Sequence, residues 1–402
     1  MPRKRINIIT PHFIPENTAA AHRIESVAKV LSASFDVHVF TLVERGCKVK
    51  NYNEVWNDSL TVHYLDLPAY PKKNFLMRAF FEWWYSRKLV FQSNETPCDL
   101  LLFTSPFMFL INIISRYSNA PVKIADIRDL VWHYLPEDSL VNKKIKNILT
   151  GKIHSSLEKM DAITVTNLYE KNWLIENSGV DEAKINVISN GLSEDKFRFL
   201  QTIRYSKPQK DFVISYIGNI GSAQDFIPLI DAIRNKEGVK LNLIGDGNQR
   251  EAIQKYLLDE DIRNVYTPGK LRWARVIPIY QSTTVLFASL KHEFDTAVPS
   301  KIYEYLATGL PIIFLGDGAT SNLLSDFDLV FQTNVYSSDV IANKIAEIRF
   351  LKPANSITNT ILIGENFLRE RLSLKFVELI AGLLNEKILG NVYVEDVLNE
   401  TI

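Results

Sequence analysis

Short apolar runs alternate with longer stretches in which apolar positions recur every three or four residues. That alternation predicts β-α-β units and parallel sheets. In the first half the runs predict strands over residues 6–10, 36–41, 100–103, 122–126, 162–166 and 185–188. The series then restarts at 212–217 and continues at 240–244, 265–267, 284–288, 311–315 and 329–331. Between the two series, residues 199–210 are polar, unpatterned and include Pro208, which predicts an interdomain linker. The expected organisation is a first domain over 1–200, a linker at 201–210, a second domain over 211–364 and a helical C-terminal segment over 365–402.

A chain of 402 residues suits two domains of about 200 residues each. Its 46% apolar and 23% charged residues describe an ordinary globular protein, and 46 acids against 46 bases give no reason to expect nucleic acid as a partner. Cys47 and Cys98 match no disulfide or zinc spacing, which suits a reducing cytoplasm. The apolar run 6–9 is too short for a signal peptide. The most apolar region, 100–114, is interrupted by polar residues and falls short of the ~20 a spanning helix needs, so it reads as a buried strand followed by a helix.

Candidate chemistry concentrates first at residues 298–311, Val-Pro-Ser-Lys-Ile-Tyr-Glu-Tyr-Leu-Ala-Thr-Gly-Leu-Pro. Ser300 is placed to cap a short helix, Gly309 to end it in the left-handed conformation, and Pro311 to prevent its continuation. Ile302, Tyr305 and Leu306 form the buried stripe; Lys301 and Glu304 lie one turn apart near an N-terminal end that attracts anions. Taken alone, the two charges read as an exposed i,i+3 pair. The stretch also resembles the most recognisable motif of the family 4 glycosyltransferases, whose two Rossmann-like domains carry parallel sheets facing a central cleft (the α/β GT-B fold). That resemblance implies that Glu304 holds the ribose hydroxyls of a nucleotide sugar and that the backbone before it cradles the diphosphate. The family's second Glu is replaced by Thr296, with Glu293 and Asp295 out of register.

Two further glycine turns follow predicted strands in the second half. Gly218-Asn219-Ile220-Gly221 lets backbone amides approach a phosphate or simply reverses the chain. Gly245-Asp246-Gly247 resembles a segment lining the family's nucleotide pocket, while Asp246 is equally a turn former. Asn219 and Gln224 stand where many family members have an Arg and a Lys, so Lys301, with Lys270 and Arg272 as alternatives, is expected to neutralise the diphosphate.

In the first half, the loop after the first strand leads through Asn17 and Thr18 into a helix carrying Arg23. Asn17 or Thr18 suits a helix cap, and the resemblance makes Asn17, Thr18 and Arg23 acceptor-binding candidates. At the end of another strand, Asp126-Ile127-Arg128-Asp129 sets two acids around one arginine, an arrangement able to fix itself by charge-assisted hydrogen bonds while presenting one group to ligand. In the family a His-Asp pair faces the transferred sugar here, which implies catalytic roles for Asp129 and Arg128 beside Glu304. Asn190-Gly191 reads as an architectural turn.

Residues 70–92 hold eight aromatics, Trp83 and Trp84 among them, with Lys72, Lys73, Arg78, Arg87 and Lys88 against the single acid Glu82. Aromatics interleaved with bases suit the interface of water and anionic lipid, and equally a buried helix with a basic rim; Lys143, Lys144 and Lys146 add to the same charge. The resemblance extends to bacterial O-antigen and capsule enzymes, L-fucosaminyltransferase-like proteins among them. It implies a retaining transferase that uses a UDP-sugar, needs no obligatory metal or other cofactor, and acts on a glycan or lipid-linked acceptor in the cytoplasm, peripherally at the inner face of the membrane. It also implies a C-terminal helix that crosses back to the first domain. A nucleotide-sugar epimerase of the same architecture and a non-catalytic sugar-nucleotide or glycan binder are the competing readings.

Overall fold

A computed structural model describes residues 3–44, 52–68, 75–105, 107–204, 211–351 and 354–385. Cys47, Lys72, Lys73, residues 205–210 of the expected linker and residues 386–402 lie outside the described residues. The chain forms two compact units, one from the residues up to Asn190 together with those from Arg369 on, the other Gly191–Leu368. The crossing therefore falls between Asn190 and Gly191, ahead of the polar segment at 201–210, and the return falls after Leu368 instead of at 365. The polar composition lies inside the second unit, because the short helix before it, Glu194–Leu200, packs on the helix Ser300–Thr308.

The first unit follows β1 (Arg5–Thr10), α1 (Ala19–Ser32), β2 (Asp36–Glu44), β3 (Asn53–Asn57), β4 (Leu60–Leu67), α2 (Phe75–Asn94), β5 (Leu100–Thr104), α3 (Met108–Tyr117), β6 (Val122–Asp126), α4 (Leu140–Leu157), β7 (Ala162–Val165), α5 (Leu168–Ser178) and β8 (Ile185–Val187). Its sheet runs β3-β4-β2-β1-β5-β6-β7-β8, parallel throughout except for β3 against β4. The β3-β4 hairpin is absent from the sequence reading: β3 is an edge strand of half-exposed and exposed residues, so it lacks the buried alternation that marks its neighbours. Central strands such as β1 and β5 are covered on both faces and read as continuous apolar runs.

The second unit follows α6 (Glu194–Leu200), β9 (Phe212–Ile217), α7 (Ile227–Ile233), β10 (Val239–Ile244), α8 (Arg250–Asp259), β11 (Val265–Gly269), α9 (Trp273–Ser282), β12 (Val285–Ser289), α10 (Ser300–Thr308), β13 (Ile312–Leu315), α11 (Gly318–Leu324), β14 (Val330–Thr333), α12 (Ser338–Leu351) and α13 (Ile357–Asn366). Its sheet is parallel in the order β11-β10-β9-β12-β13-β14, reversing direction of growth between β9 and β12. Such a reversal opens a crevice at the carboxyl ends of the strands, where doubly wound sheets bind ligands. The first sheet has the same kind of switch between β1 and β5.

The last helix, α14 (Arg369–Leu384), belongs to the first unit and packs on α1. Leu372, Phe376, Val377 and Ile380 join Ile24, Val27 and Leu31 in the core on one face of the first sheet, while residues of α2, α3 and α4 cover the other. Where the second unit begins and ends, the Leu192 amide donates to the Phe367 carbonyl (3.1 Å), and Leu192 pairs with Leu368 as an isolated bridge. Among the described residues no helix is long and apolar enough to cross a membrane.

Candidate active site

In the second unit, three strand-end turns are laced together. The Gly218 amide donates to the Ile244 carbonyl (2.9 Å), Gly245 to Gly269 (3.0 Å) and Ile220 to Asp246 (2.9 Å). Gly245 sits at φ +148°, and a Cβ there would run into the Gly218 carbonyl oxygen, so these loops approach as closely as they do because one of them has no side chain. The Gly221 amide donates to Gln224 Oε1 (3.0 Å), which closes the first turn, and the Asn219 carbonyl accepts from the Tyr216 hydroxyl (2.5 Å). Asp246 behaves as a turn former: its side chain is 64% exposed and accepts from the next amide, Gly247 (2.9 Å). Lys270 and Arg272 are exposed and form no ion pair among the described residues.

Helix α10 stands over the same edge. Pro299, and not, as the sequence suggests, Ser300, holds the N-cap position, without a side-chain capping bond; Ser300 and Lys301 thus open the first turn, in which the Ile302 amide donates to the Pro299 carbonyl (3.0 Å). Gly309 ends the helix at φ +65°, as its position predicts. Ile302, Tyr305 and Leu306 are wholly buried, and the Tyr305 hydroxyl accepts from the Ile217 amide (2.7 Å), pinning α10 to the end of β9.

Glu304 is no surface residue. Its side chain is 8% exposed, with Lys301 Nζ 2.9 Å from Oε2 and Lys196 Nζ 3.1 Å from Oε1, and the Tyr280 hydroxyl donates to Oε2 across 3.4 Å. Burial opposes ionisation, but Lys301 and Lys196 outweigh it and hold the carboxyl below its ordinary value. An ionised carboxylate has about four lone-pair directions, so the two lysines orient Glu304 and leave acceptor capacity for hydroxyl donors. Lys301, with three donor hydrogens, likewise keeps capacity beyond its bond to Glu304. Lys196 and Tyr280 were not singled out from the sequence: Lys196 is 108 positions from Glu304, and Tyr280 reads as a core aromatic on α9. Thr296, the other expected donor contact near this helix, is fully buried.

In the first unit, Thr18 caps α1 by accepting from the Ala21 amide (3.2 Å), and Asn17 Oδ1 lies 2.9 Å from His22 Nε2. Arg23 is committed to the interior: it donates to Asp126 (3.0 Å) and to the carbonyls of Ile188 (2.9 Å) and Ser189 (2.8 Å), with its guanidinium over the Phe376 ring. The expected clamp of two acids around Arg128 does not form. Asp126 ends β6 and is taken by Arg23 and by the Thr164 hydroxyl (2.7 Å), and neither Asp126 nor Asp129 forms an ion pair with Arg128 among the described residues, though both lie near enough to act on its charge. The buried Arg128 Nε has no hydrogen-bond partner, and burial together with the neighbouring Arg23 lowers the guanidinium to about 10. Asp129 keeps an open surface while protein crowds its other sides, and this desolvation raises its carboxyl to about 6 against the pull of Arg128. Close by in charge, Glu170 is fully buried and accepts from the Thr166 amide and hydroxyl (both 2.7 Å); burial and Asp129 push it well above the ordinary range. Asn167-x-x-Glu170 is a capping pattern in the sequence, and Asn167 Oδ1 accepts from the Glu170 amide (2.9 Å).

On α2, Trp83, Trp84 and Lys88 are exposed and Arg87 is half-buried, so the helix presents both its aromatics and its bases at the surface. Among the described residues no cluster of His, Cys, Asp or Glu could hold a metal ion.

Residues 199–353 match the family described as glycosyl transferases group 1. A lipopolysaccharide core biosynthesis glycosyltransferase, LpsE of Rhizobium meliloti strain 1021, is 22% identical over 216 residues, which span 53% of this chain and 57% of that relative's length. Sucrose-phosphate synthase from Thermosynechococcus elongatus superposes with a TM-score of 0.74 at 13% identity over 95% of this chain and all of that one. HepE of Anabaena, in complex with UDP and glucose, gives 0.63 at 14% identity over 94% and 99% of the two chains. WaaG, a glycosyltransferase involved in lipopolysaccharide biosynthesis, gives 0.63 at 11% identity over 94% and 100%. The chain thus has the α/β fold of the GT-B glycosyltransferases, two Rossmann-like units built on parallel sheets, and its second unit carries the sequence match to glycosyl transferases group 1.

Proposed function

We propose that the protein is a retaining glycosyltransferase that moves a sugar from a nucleotide diphosphate, UDP in the first instance, to a glycan or lipid-linked acceptor in surface-polysaccharide synthesis. The observation that carries this reading is Glu304, an ionised carboxylate in a nearly closed setting, fixed between Lys196 and Lys301 beside the glycine turns that end β9 and β10. A carboxylate so placed accepts the paired hydroxyls of a ribose. The first-turn amides of α10, with Lys301, stabilise the charge that develops on a departing diphosphate. Lys270 and Arg272, exposed and without an ion pair among the described residues, are available to share that charge. In the first unit Asp129 orients the acceptor hydroxyl or assists its deprotonation, with Arg128 beside it. Arg23 serves this site from behind, as the anchor of Asp126, and does not itself contact the acceptor. Support for a bacterial envelope role comes from the names of LpsE and WaaG, and for UDP from the ligand of HepE. Trp83, Trp84, Arg87 and Lys88 on α2 make peripheral contact with the membrane that holds a lipid-linked acceptor.

The test is release of UDP and transfer of sugar by the purified chain offered a panel of UDP-sugars with lipid-linked acceptors. Glu304→Ala is expected to lose at least about a hundredfold in kcat/KM, the loss of about 2.7 kcal/mol or more of transition-state binding. Undiminished transfer by that variant sinks the role given to Glu304, and donor binding without turnover by the wild type favours a non-catalytic binder.

A further inference from the structure

Away from the strand ends, α2, α3 and α4 enclose a groove of about 980 Å³ on the first unit. Four bases line it, Arg87, Arg116, Lys152 and Lys159, and no acid does. None of the four forms an ion pair among the described residues, whereas Lys4, Arg5, Lys29, Arg78, Lys146 and Lys171 elsewhere on that unit do. Arg87 is held instead over the rings of Trp83, Phe91 and Tyr117 at 5.1, 5.4 and 5.0 Å, and Arg116 over Tyr117 at 5.4 Å. Stacking on a ring face fixes a guanidinium while leaving its edge N–H donors for an anion.

The groove does not stand alone. Leu140, Val141, Ile145 and Ile148 on α4 are exposed, the first two by 89% and 67%, and at 100° per residue they fall within an arc of roughly 140°. That stripe runs along the helix into the groove, where Ile148, Gly151 and Lys152 continue it. On α2, Met77, Phe80, Trp83 and Trp84 add exposed apolar surface. A soluble anion would use the bases and have no call on the apolar collar, whereas a lipid uses both: its phosphate enters the basic groove and its chains lie along the stripe. We propose that the groove between α2, α3 and α4 binds the phosphate headgroup of an anionic phospholipid. The inference rests on the reading of α2 as membrane-facing and gives that contact a defined pocket.

Gly151 offers a clean way to test it, because a Cβ placed there meets nothing within 4 Å beyond its own stretch of helix. Gly151→Leu would fill the groove without changing charge. Lys152→Gln with Lys159→Gln removes two groove charges, and Lys143→Gln with Lys144→Gln removes two from the exposed surface of the same helix outside the groove lining. Full-length protein is sedimented with vesicles of equimolar phosphatidylglycerol and phosphatidylcholine, and with phosphatidylcholine alone. The wild type is expected to bind the anionic vesicles selectively. The groove pair and Gly151→Leu each weaken that binding about tenfold, and the outside pair weakens it about threefold or less. Equal losses from the two charge pairs, or wild-type binding by Gly151→Leu, would replace the pocket with diffuse charge and overturn the inference while leaving membrane contact standing. Equal binding to both vesicle types overturns the headgroup assignment, and failure of the wild type to bind either vesicle overturns the membrane contact as well.

Discussion

Glu304 and Asp129 are carboxylates whose surroundings push them in opposite directions. Burial should neutralise Glu304, but two lysines keep it charged; Arg128 should keep Asp129 charged, but crowding raises it to about 6. The consequence for Asp129 has a sign that can be worked out. Its carboxylate forms only as pH rises through about 6, so transfer that depends on that carboxylate should fall about tenfold per pH unit below this point. Asp129→Asn should be slow and lack that limb; a wild-type profile flat from about pH 5 to 8 would remove Asp129 from the chemistry. Stability runs the other way. A folded-state value above the ordinary one means that ionisation costs stability as pH rises through about 6, so Asp129→Asn should melt no lower than wild type at about pH 8. At this scale the sequence made Lys301 and Glu304 legible because neighbours one helical turn apart can be paired on paper. Lys196 could not be found that way, since nothing local marks a partner 108 residues off, and the bond of Asp126 to Arg23, 103 residues earlier, was as hidden.

Among elements, the decisive contact is the passage of the Gly245 turn over the Gly218 carbonyl. Gly245→Ala combines an unfavourable φ with a collision against backbone, which cannot rotate away. It should cost the second unit about 3 kcal/mol or more, read as a melting point lower by roughly 6 °C or more, with weakened binding of UDP as the loops part. An unchanged melting curve would mean that the crossing loops are not closely packed. The twelve strands read from apolar runs all appear, whereas β3 and β4 do not stand out: β3 is shared between water and a single neighbour, and β4 interleaves polar residues with its buried ones. The strand-end glycines could be seen from sequence as turns; which turn leans on which could not.

At the scale of the molecule, the first unit depends on the far end of the chain. Leu372, Phe376, Val377 and Ile380 of α14 are buried in its core, and at about 1.5–3 kcal/mol each their upper-bound contribution of about 6–12 kcal/mol rivals the whole stability of a typical domain. Residues 1–190 expressed alone should therefore fail to fold cooperatively and should recover when Asn190 is joined to Arg369 through a short linker, while the fragment 191–368 should melt as a unit by itself. A cooperative transition in the 1–190 fragment would show that α14 is dispensable. The two-part plan was readable from the restart of the strand series, but the crossing point was not, because a crossing between two residues carries less compositional signal than a polar stretch inside a domain. The bridge between Leu192 and Leu368 means that the second unit enters and leaves the chain side by side. A segment with adjoining ends can be lifted out and another of the same end geometry set in its place with no gap to span. The second unit is thus a cassette, free to be exchanged during evolution or by design while the first unit stays as it is.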